Sequence, residues 1–455
     1  MKWRRLRLLH FCYVYVMKLY SENSNYKLYH GDMLDMLDVI EEDSITSIVC
    51  DPPYELGFMS RDWDKMGISF SVDAWKTCLK VLKPGGHLVA FCGSRTFHRM
   101  VCAIEDAGFE IRDTIMWIYG SGMPKSSNVG KMLEKKYGHP VDDELYKYGN
   151  ALKPAYEPIV IARKPFGGPM IENMLKNNVG GFNIDECRVP FTSESDIATY
   201  EFNNDANLRT LVDEGDIAER LYDGGWKVDR NKKETPVGRF PANVILTYDE
   251  SDYDEACGGF PQSGTGNNKE PYNYAGREYN NKETSMFNGD KPQAPSNYND
   301  TGSASRYFYC AKATRRDRDE GLEDFELVVR SDRNPELDTA NNQYNRSGVP
   351  RKNFHPTCKP VNLMKYLVRL VTPKGGVVLD CFNGSGSTGK AVMSENYDRD
   401  ANYKYVGIEL TEDYLPIAKA RIEYAIDHDL NVDEKPKKEK KNKKTEDKKE
   451  EIELW

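Results

Sequence analysis

At 455 residues the chain has room for two or three domains and a large core, and 39% hydrophobic with 30% charged residues describes a soluble, rather polar protein. The formal charge of -9 argues mildly against a polyanion partner, since nucleic-acid binders neutralise phosphates with a basic surface, but it does not exclude a local basic cleft. Ten cysteines stand singly with no C-x-x-C pair, which disfavours structural zinc and fits a reduced, cytoplasmic compartment.

Lys2, Arg4, Arg5 and Arg7 precede the apolar run Leu8 to Val16, a pattern superficially like a signal peptide. The run is too short to span a bilayer and no small-residue cleavage site follows, so 1–16 reads as an upstream extension or a disordered tail before Met17. Over 27–120 short apolar strands then alternate with helical stretches. Lys27 to His30 is a strand leading to Gly31-Asp32, and Ile45 to Cys50 is another that ends at Asp51. Phe70 to Leu82 has helical spacing and stops at Pro84-Gly85-Gly86, after which His87 to Cys92 and Thr114 to Tyr119 read as buried strands. That alternation predicts a parallel α/β sheet.

Asp51-Pro52-Pro53-Tyr54 follows a strand, where open α/β sheets place their ligands. The prolines stiffen the backbone and remove two amide donors while keeping two carbonyl acceptors, and an aromatic face comes next. Attack of an exocyclic amine on a methyl sulfonium needs such a site. The amine lone pair is delocalised into its ring, and a carboxylate plus a carbonyl, each accepting one N–H, hold the nitrogen closer to tetrahedral. Positive charge then develops beside acceptors. Tyr54 can stack on a base extruded from a duplex. Alone, the tetrapeptide also fits an ordinary turn.

Leu152-Lys153-Pro154-Ala155-Tyr156-Glu157-Pro158 reads as a Pro-rich loop suited to lining a cleft through Lys153. Roughly 195–350 differs in kind, dominated by Asn, Asp, Gly, Ser and Tyr, as suits a variable recognition insert or a merely flexible one. Within it Arg306, Lys312, Arg315, Arg316 and Arg318 interleave with Tyr307, Phe308 and Tyr309, a mixture suited to phosphates and stacked bases and equally to a strand with an exposed helix start. Lys227, Arg230, Lys232 and Lys233 form a second, more diluted basic cluster.

The α/β grammar returns with a helix over Val361 to Val371, a strand over Val377 to Leu379, a glycine-rich loop over Asp380 to Gly389, a helix from Lys390 and a strand over Tyr405 to Leu410. Gly384, Gly386 and Gly389 match G-x-G-x-x-G, with Glu409 at the expected later distance. Gly384 to Lys390 also fits a phosphate loop until Ala391, which lacks the hydroxyl that magnesium needs. Asp380 suits a cationic amino-acid moiety, Glu409 the ribose hydroxyls of an adenosine, and Lys359, with His355 in Asn353 to Pro360, a carboxylate. This combination favours S-adenosylmethionine over a nicotinamide dinucleotide. The Lys/Glu run from about Asp427 is a solvated tail.

Taken in order, these motifs resemble the amino-group DNA methyltransferases of the permuted beta type, in which D-P-P-Y precedes the recognition region and F-x-G-x-G comes last. Phe382-Asn383-Gly384-Ser385-Gly386 supplies that last motif. The resemblance implies a Rossmann-like methyltransferase fold of mostly parallel sheet with helices on both faces, with S-adenosylmethionine as donor and double-stranded DNA as partner. It implies that Asp51 to Tyr54 act on the base, and that Asp32, Asp380, Phe382, Asn383, Gly384, Gly386 and Glu409 surround the cofactor, Asp32 near its purine. No metal is expected. D-P-P-Y in this family more often accompanies adenine than cytosine. A cognate restriction endonuclease and a homodimer are further expectations. The parts expected are a target-base subdomain (17–190), a recognition insert (191–350), a cofactor subdomain (351–426) and a charged tail (427–455).

Overall fold

The computed structural model describes residues 17–56, 64, 66–119, 126–191, 194, 197, 236–247, 262–263, 302–303, 308–310, 317–328 and 351–428. The extension 1–16, most of the polar insert, the basic residues Arg306, Lys312, Arg315 and Arg316, the cluster Lys227 to Lys233 and the tail beyond 428 lie outside them.

One ten-stranded sheet organises the chain. Its strands are β1 (Lys18–Glu22), β2 (Tyr26–His30), β3 (Ile45–Cys50), β4 (Leu82–Phe91), β5 (Glu110–Tyr119), β6 (Tyr156–Arg163), β7 (Val244–Thr247), β8 (Tyr309–Cys310), β9 (Val377–Asp380) and β10 (Lys404–Glu409). Across the sheet the order is β1-β2-β10-β9-β3-β4-β6-β5-β7-β8. The C-terminal strands are therefore threaded between N-terminal ones: β9 pairs parallel with β3 and β10 pairs parallel with β2. The two blocks with the same grammar do complete one sheet.

Parallel pairing runs from β2 through β4, and β6 alone among the inner strands opposes both neighbours. Its reversal has a consequence for the site. The C-terminal ends of β2, β3, β9 and β10 and the N-terminal start of β6 lie on one edge, so Tyr156 and Glu157 stand on the edge that carries Asp51 and the glycine loop. The stretch expected to be a Pro-rich loop in fact enters a strand at Tyr156, with Pro158 accommodated there.

Successive strand residues point to opposite faces. On one face Val49, Val89 and Phe91 pack with α5 (Val361–Val371), α6 (Ser387–Arg399) and α7 (Leu415–Asp427). On the other, Ile48, Cys50, Leu88 and Ala90 pack with α1 (Val72–Val81) and α2 (Phe97–Asp106). Helices thus cover both faces, the expected doubly wound arrangement. The remaining helices, α3 (Val129–Tyr137) and α4 (Met170–Asn177), flank β6 in sequence. Ser71 caps α1 by accepting from the Ala74 amide. The described cysteines are all free. No helix among the described residues is long and apolar enough to cross a membrane.

Candidate active site

Strand β3 is fully buried and delivers Asp51 to the sheet edge. The chain must turn at once, and Glu55 takes a left-handed φ of 55° to do so. A side chain in that region costs on the order of 1–2 kcal/mol. Asp64 offsets this by accepting the Glu55 and Leu56 amides at 2.8 and 3.2 Å. Ser69 Oγ donates to the Pro53 carbonyl at 2.5 Å, and Thr96 Oγ1 to the Tyr54 carbonyl at 2.8 Å. Of the two proline carbonyls, Pro53's is therefore taken, while no donor among the described residues bonds Pro52's.

Five side chains converge here. Lys359 Nζ lies 2.7 Å from Asp51 Oδ2 and 3.6 Å from Glu157 Oε2. Tyr54 donates its hydroxyl to Glu157 Oε2 at 2.7 Å, and Tyr119 approaches Glu157 Oε1 at 3.4 Å. The Lys359 ammonium also sits 5.4 Å from the Tyr54 ring centroid and 4.9 Å from that of Phe91, within cation–π range. Burial works against this ammonium, but the Asp51 and then the Glu157 carboxylates outweigh it and raise its pKa above the ordinary lysine range. Burial, then Asp51 and Glu157, push the Tyr54 hydroxyl well above its usual value, so it remains a neutral donor. One acceptor is left over: Asp51 Oδ1 is buried and has no partner among the described residues. A buried carboxylate oxygen in that condition calls for a donor from outside.

The glycine loop stands beside this pocket because β9 is the neighbour of β3. Gly384 and Gly386 have φ of 51° and 75°. Glu409 Oε2 accepts the Gly384 amide at 2.6 Å and Oε1 accepts that of Thr411 at 2.8 Å. Burial raises the Glu409 carboxyl to about 7, against the lowering effect of those backbone donors. Each of its oxygens keeps a second lone pair for hydroxyl donors. Phe382 is half-buried, 6.4 Å from Trp75 between ring centroids, and Asp32 accepts the Leu34 amide at 3.0 Å. Two positive-φ glycines thus follow β9, and a carboxylate oxygen without a partner among the described residues follows its neighbour β3, at the same edge of the sheet.

The sequence model of a family described as DNA methylase matches residues 45–420, from the first residue of β3 into α7. The chain belongs to that DNA methylase family. Among curated relatives, the Type II methyltransferase M.HindIII of Haemophilus influenzae is 28% identical over 116 residues, 25% of this chain and 38% of that protein. The DNA adenine methyltransferase YhdJ of Escherichia coli is 31% identical over 86 residues, 19% of this chain and 27% of that protein. The alignments thus span under half the length of these relatives. Among solved structures, PvuII DNA methyltransferase (cytosine-N4-specific) superposes with a TM-score of 0.41 at 14% identity, covering 92% of both chains.

Several residues of this DNA methylase stand elsewhere than the sequence suggested. Lys359, expected at a cofactor carboxylate, is ion-paired with Asp51, because β3 and β9 are adjacent and Pro360 starts α5 close to both. Asp380, expected to meet a cationic ligand, is 3% exposed, and each of its oxygens accepts one hydrogen bond inside the loop, Oδ1 from the Phe382 amide at 3.0 Å and Oδ2 from the Thr388 hydroxyl at 2.6 Å. Asn383 is likewise internal, accepting from Tyr405 Oη at 2.7 Å. His355 buttresses the loop, hydrogen-bonded through Nδ1 to the Thr357 carbonyl and packed edge-on against Tyr414, and burial lowers it to about 4. Its imidazole is therefore neutral. Arg318, expected among phosphate ligands, donates to the His355 carbonyl at 2.8 Å and the Asn353 carbonyl at 3.3 Å.

Two contributors went unread in the sequence. Glu157 has no motif of chemistry around it and is identified only by its contacts. Arg421 of α7 is fully buried and holds the loop from behind, donating to the Ser385 carbonyl at 2.5 Å, its hydroxyl at 2.9 Å and the Asp317 carbonyl at 2.7 Å. Lys390, the phosphate-loop look-alike, is 0% exposed and paired with Glu320 at 2.8 Å. Its ammonium is engaged by that carboxylate and packed on the Tyr424 ring, so the phosphate reading loses its cation as well as its hydroxyl.

Proposed function

We propose that the chain is an S-adenosylmethionine-dependent DNA methyltransferase acting on the exocyclic 6-amino group of adenine in duplex DNA, with the base extruded into the Asp51 pocket. The observation that carries this reading is Asp51 Oδ1, a buried acceptor without a partner, standing next to the Tyr54 ring. When bound, S-adenosylmethionine supplies an electrophilic methyl group on a sulfonium. Its binding is assigned to the edge formed by Phe382, Gly384, Gly386, Glu409 and Asp32, while Asp380, Asn383 and His355 keep that edge in shape.

Asp51 Oδ1 accepts one amine N–H and the Pro52 carbonyl the other, which turns the nitrogen lone pair out of the ring. Hydrogen bonds to an ionised group contribute about 1.5–3 kcal/mol each. They strengthen as the nitrogen gains positive charge, so they lower the barrier and not merely the binding free energy. Tyr54, pinned through its hydroxyl, offers its face for stacking. After transfer the surplus amine proton passes to Asp51 or through it to water.

Adenine is favoured by Asp51 at the first position of the tetrapeptide and by the likeness to a relative named as an adenine methyltransferase. The segment 191–350 is proposed as the target-recognition insert, on its composition. Transfer of labelled methyl groups to duplex DNA, followed by nucleoside analysis, tests the function. N6-methyladenine is expected; N4-methylcytosine, or better transfer to RNA, overturns the substrate. Asp51→Ala should abolish transfer and spare cofactor binding, and near-normal turnover would refute the role given to Asp51.

A further inference from the structure

Glu157 is the second residue of β6, the reversed strand, and its carboxylate is shared among three side chains. It takes the Tyr54 hydroxyl at 2.7 Å, is approached by the Tyr119 hydroxyl at 3.4 Å, and lies 3.6 Å from the Lys359 ammonium. Lys359 in turn holds Asp51 at 2.7 Å. Asp51 and Lys359 by themselves form a pair with no net charge. Glu157 adds a second carboxylate to the single ammonium, so the group keeps one net negative charge. Charge in a half-buried pocket acts through a lower dielectric than water and counts for correspondingly more.

The transfer assigned above moves positive charge onto the amine nitrogen beside Asp51. A neutral Asp51–Lys359 pair would give that movement little help, since the ammonium's repulsion of the nascent cation offsets much of the carboxylate's attraction. We propose that Glu157 is a positioning residue of the target-base pocket: it fixes the Tyr54 ring through its hydroxyl and shares the Lys359 charge, leaving Asp51 in net negative surroundings. This inference rests on the reading of the Asp51 pocket as the site of the target amine.

The test uses the full-length protein with Glu157→Gln, Glu157→Asp and Asp51→Ala, measuring kcat and KM for duplex DNA and for S-adenosylmethionine. Glutamine keeps the volume and an amide oxygen that can accept from Tyr54, while it removes the charge and replaces the oxygen beside Tyr119 with an amide donor. Glu157→Gln should lose kcat on the order of tenfold or more, with KM for S-adenosylmethionine within about twofold. Glu157→Asp should recover part of that loss, because charge is restored although reach is shorter. Wild-type kcat in Glu157→Gln overturns the inference, as does equal impairment of the two variants, which would make the role one of shape. A loss of kcat in Glu157→Gln that is explained by a smaller folded fraction in thermal unfolding also overturns it. Asp51→Ala separates the layers. If it is inactive while Glu157→Gln is normal, only the inference fails; if it remains active, the pocket assignment itself fails.

Discussion

Glu409 couples the edge assigned to S-adenosylmethionine to pH. Its carboxylate is 7% exposed at the end of β10, where Gly384 and Thr411 donate amides to it. Burial lifts the group from 4.5 to about 7. A carboxyl raised in the folded state binds its proton more tightly there than in the unfolded chain. The resulting stabilisation is fully present below 4.5, declines as pH rises, and is gone above about 7. That gap corresponds to about 3 kcal/mol. Glu409→Gln removes the titration and exchanges one accepted amide for a poor contact, a cost that does not vary with pH.

Urea unfolding of the ligand-free wild type and of Glu409→Gln between pH 5 and pH 8 isolates the effect, since other titrating groups cancel in the difference. Relative to the wild type, the variant should gain up to about 3 kcal/mol across that range. Hydroxyl donors from the cofactor would favour the ionised carboxylate, so S-adenosylmethionine affinity should rise with pH, by up to about tenfold per pH unit below 7, and then level off. A difference in stability that is flat with pH refutes the buried, proton-binding Glu409. An affinity that falls as pH rises refutes its role toward hydroxyl donors.

Two further substitutions probe the loop from either side. Gly386→Ala should destabilise the fold by about 2 kcal/mol or more and weaken S-adenosylmethionine binding, because φ is 75° and an added Cβ would meet the Ala418 backbone oxygen at 3.1 Å; a wild-type melting temperature would refute it. Lys390→Met leaves the Glu320 carboxylate without its ammonium and should cost up to about 3 kcal/mol, with cofactor affinity of the folded protein unchanged. Loss of affinity without loss of stability would restore a ligand-facing role for this lysine.

Legibility followed distance along the chain. The strands Ile45 to Cys50 and Val377 to Asp380 are short apolar runs closed by turn residues, and helix Val361–Val371 has an unbroken apolar face, so their type and position could be read locally. The edge that carries ligands followed from the α/β rule once those strands were placed. Strand β6 was missed because Lys153-Pro154 and Pro158 carry turn chemistry, and proline inside an inner strand runs against the usual pattern. The bonds of Asp380 to Thr388 and of Asn383 to Tyr405 were not legible either, because nothing in a sequence distinguishes a carboxylate or amide that lines a loop from one that also holds it together.

The placement of Lys359 shows where such reading stops. Along the chain it is 23 residues from Phe382 and more than 300 from Asp51, and proximity in sequence made it a cofactor residue. In the sheet, Leu379 of β9 is registered against Ile48 of β3, so the loops that follow these strands emerge side by side. A cation ahead of α5 then has two loops within reach, and the choice between them is electrostatic. Among the described residues Asp380 is 3% exposed and accepts from Phe382 and Thr388 inside its own loop, whereas the Asp51 and Glu157 side chains are 21% and 22% exposed and would stand together without a cation if Lys359 were absent. Burying those carboxylates together without a cation would cost several kcal/mol, whereas Lys359 between them, packed on Tyr54 and Phe91, offsets most of it. The lysine is therefore drawn to the β3 side by the same pair of carboxylates to which the proposed transfer is assigned.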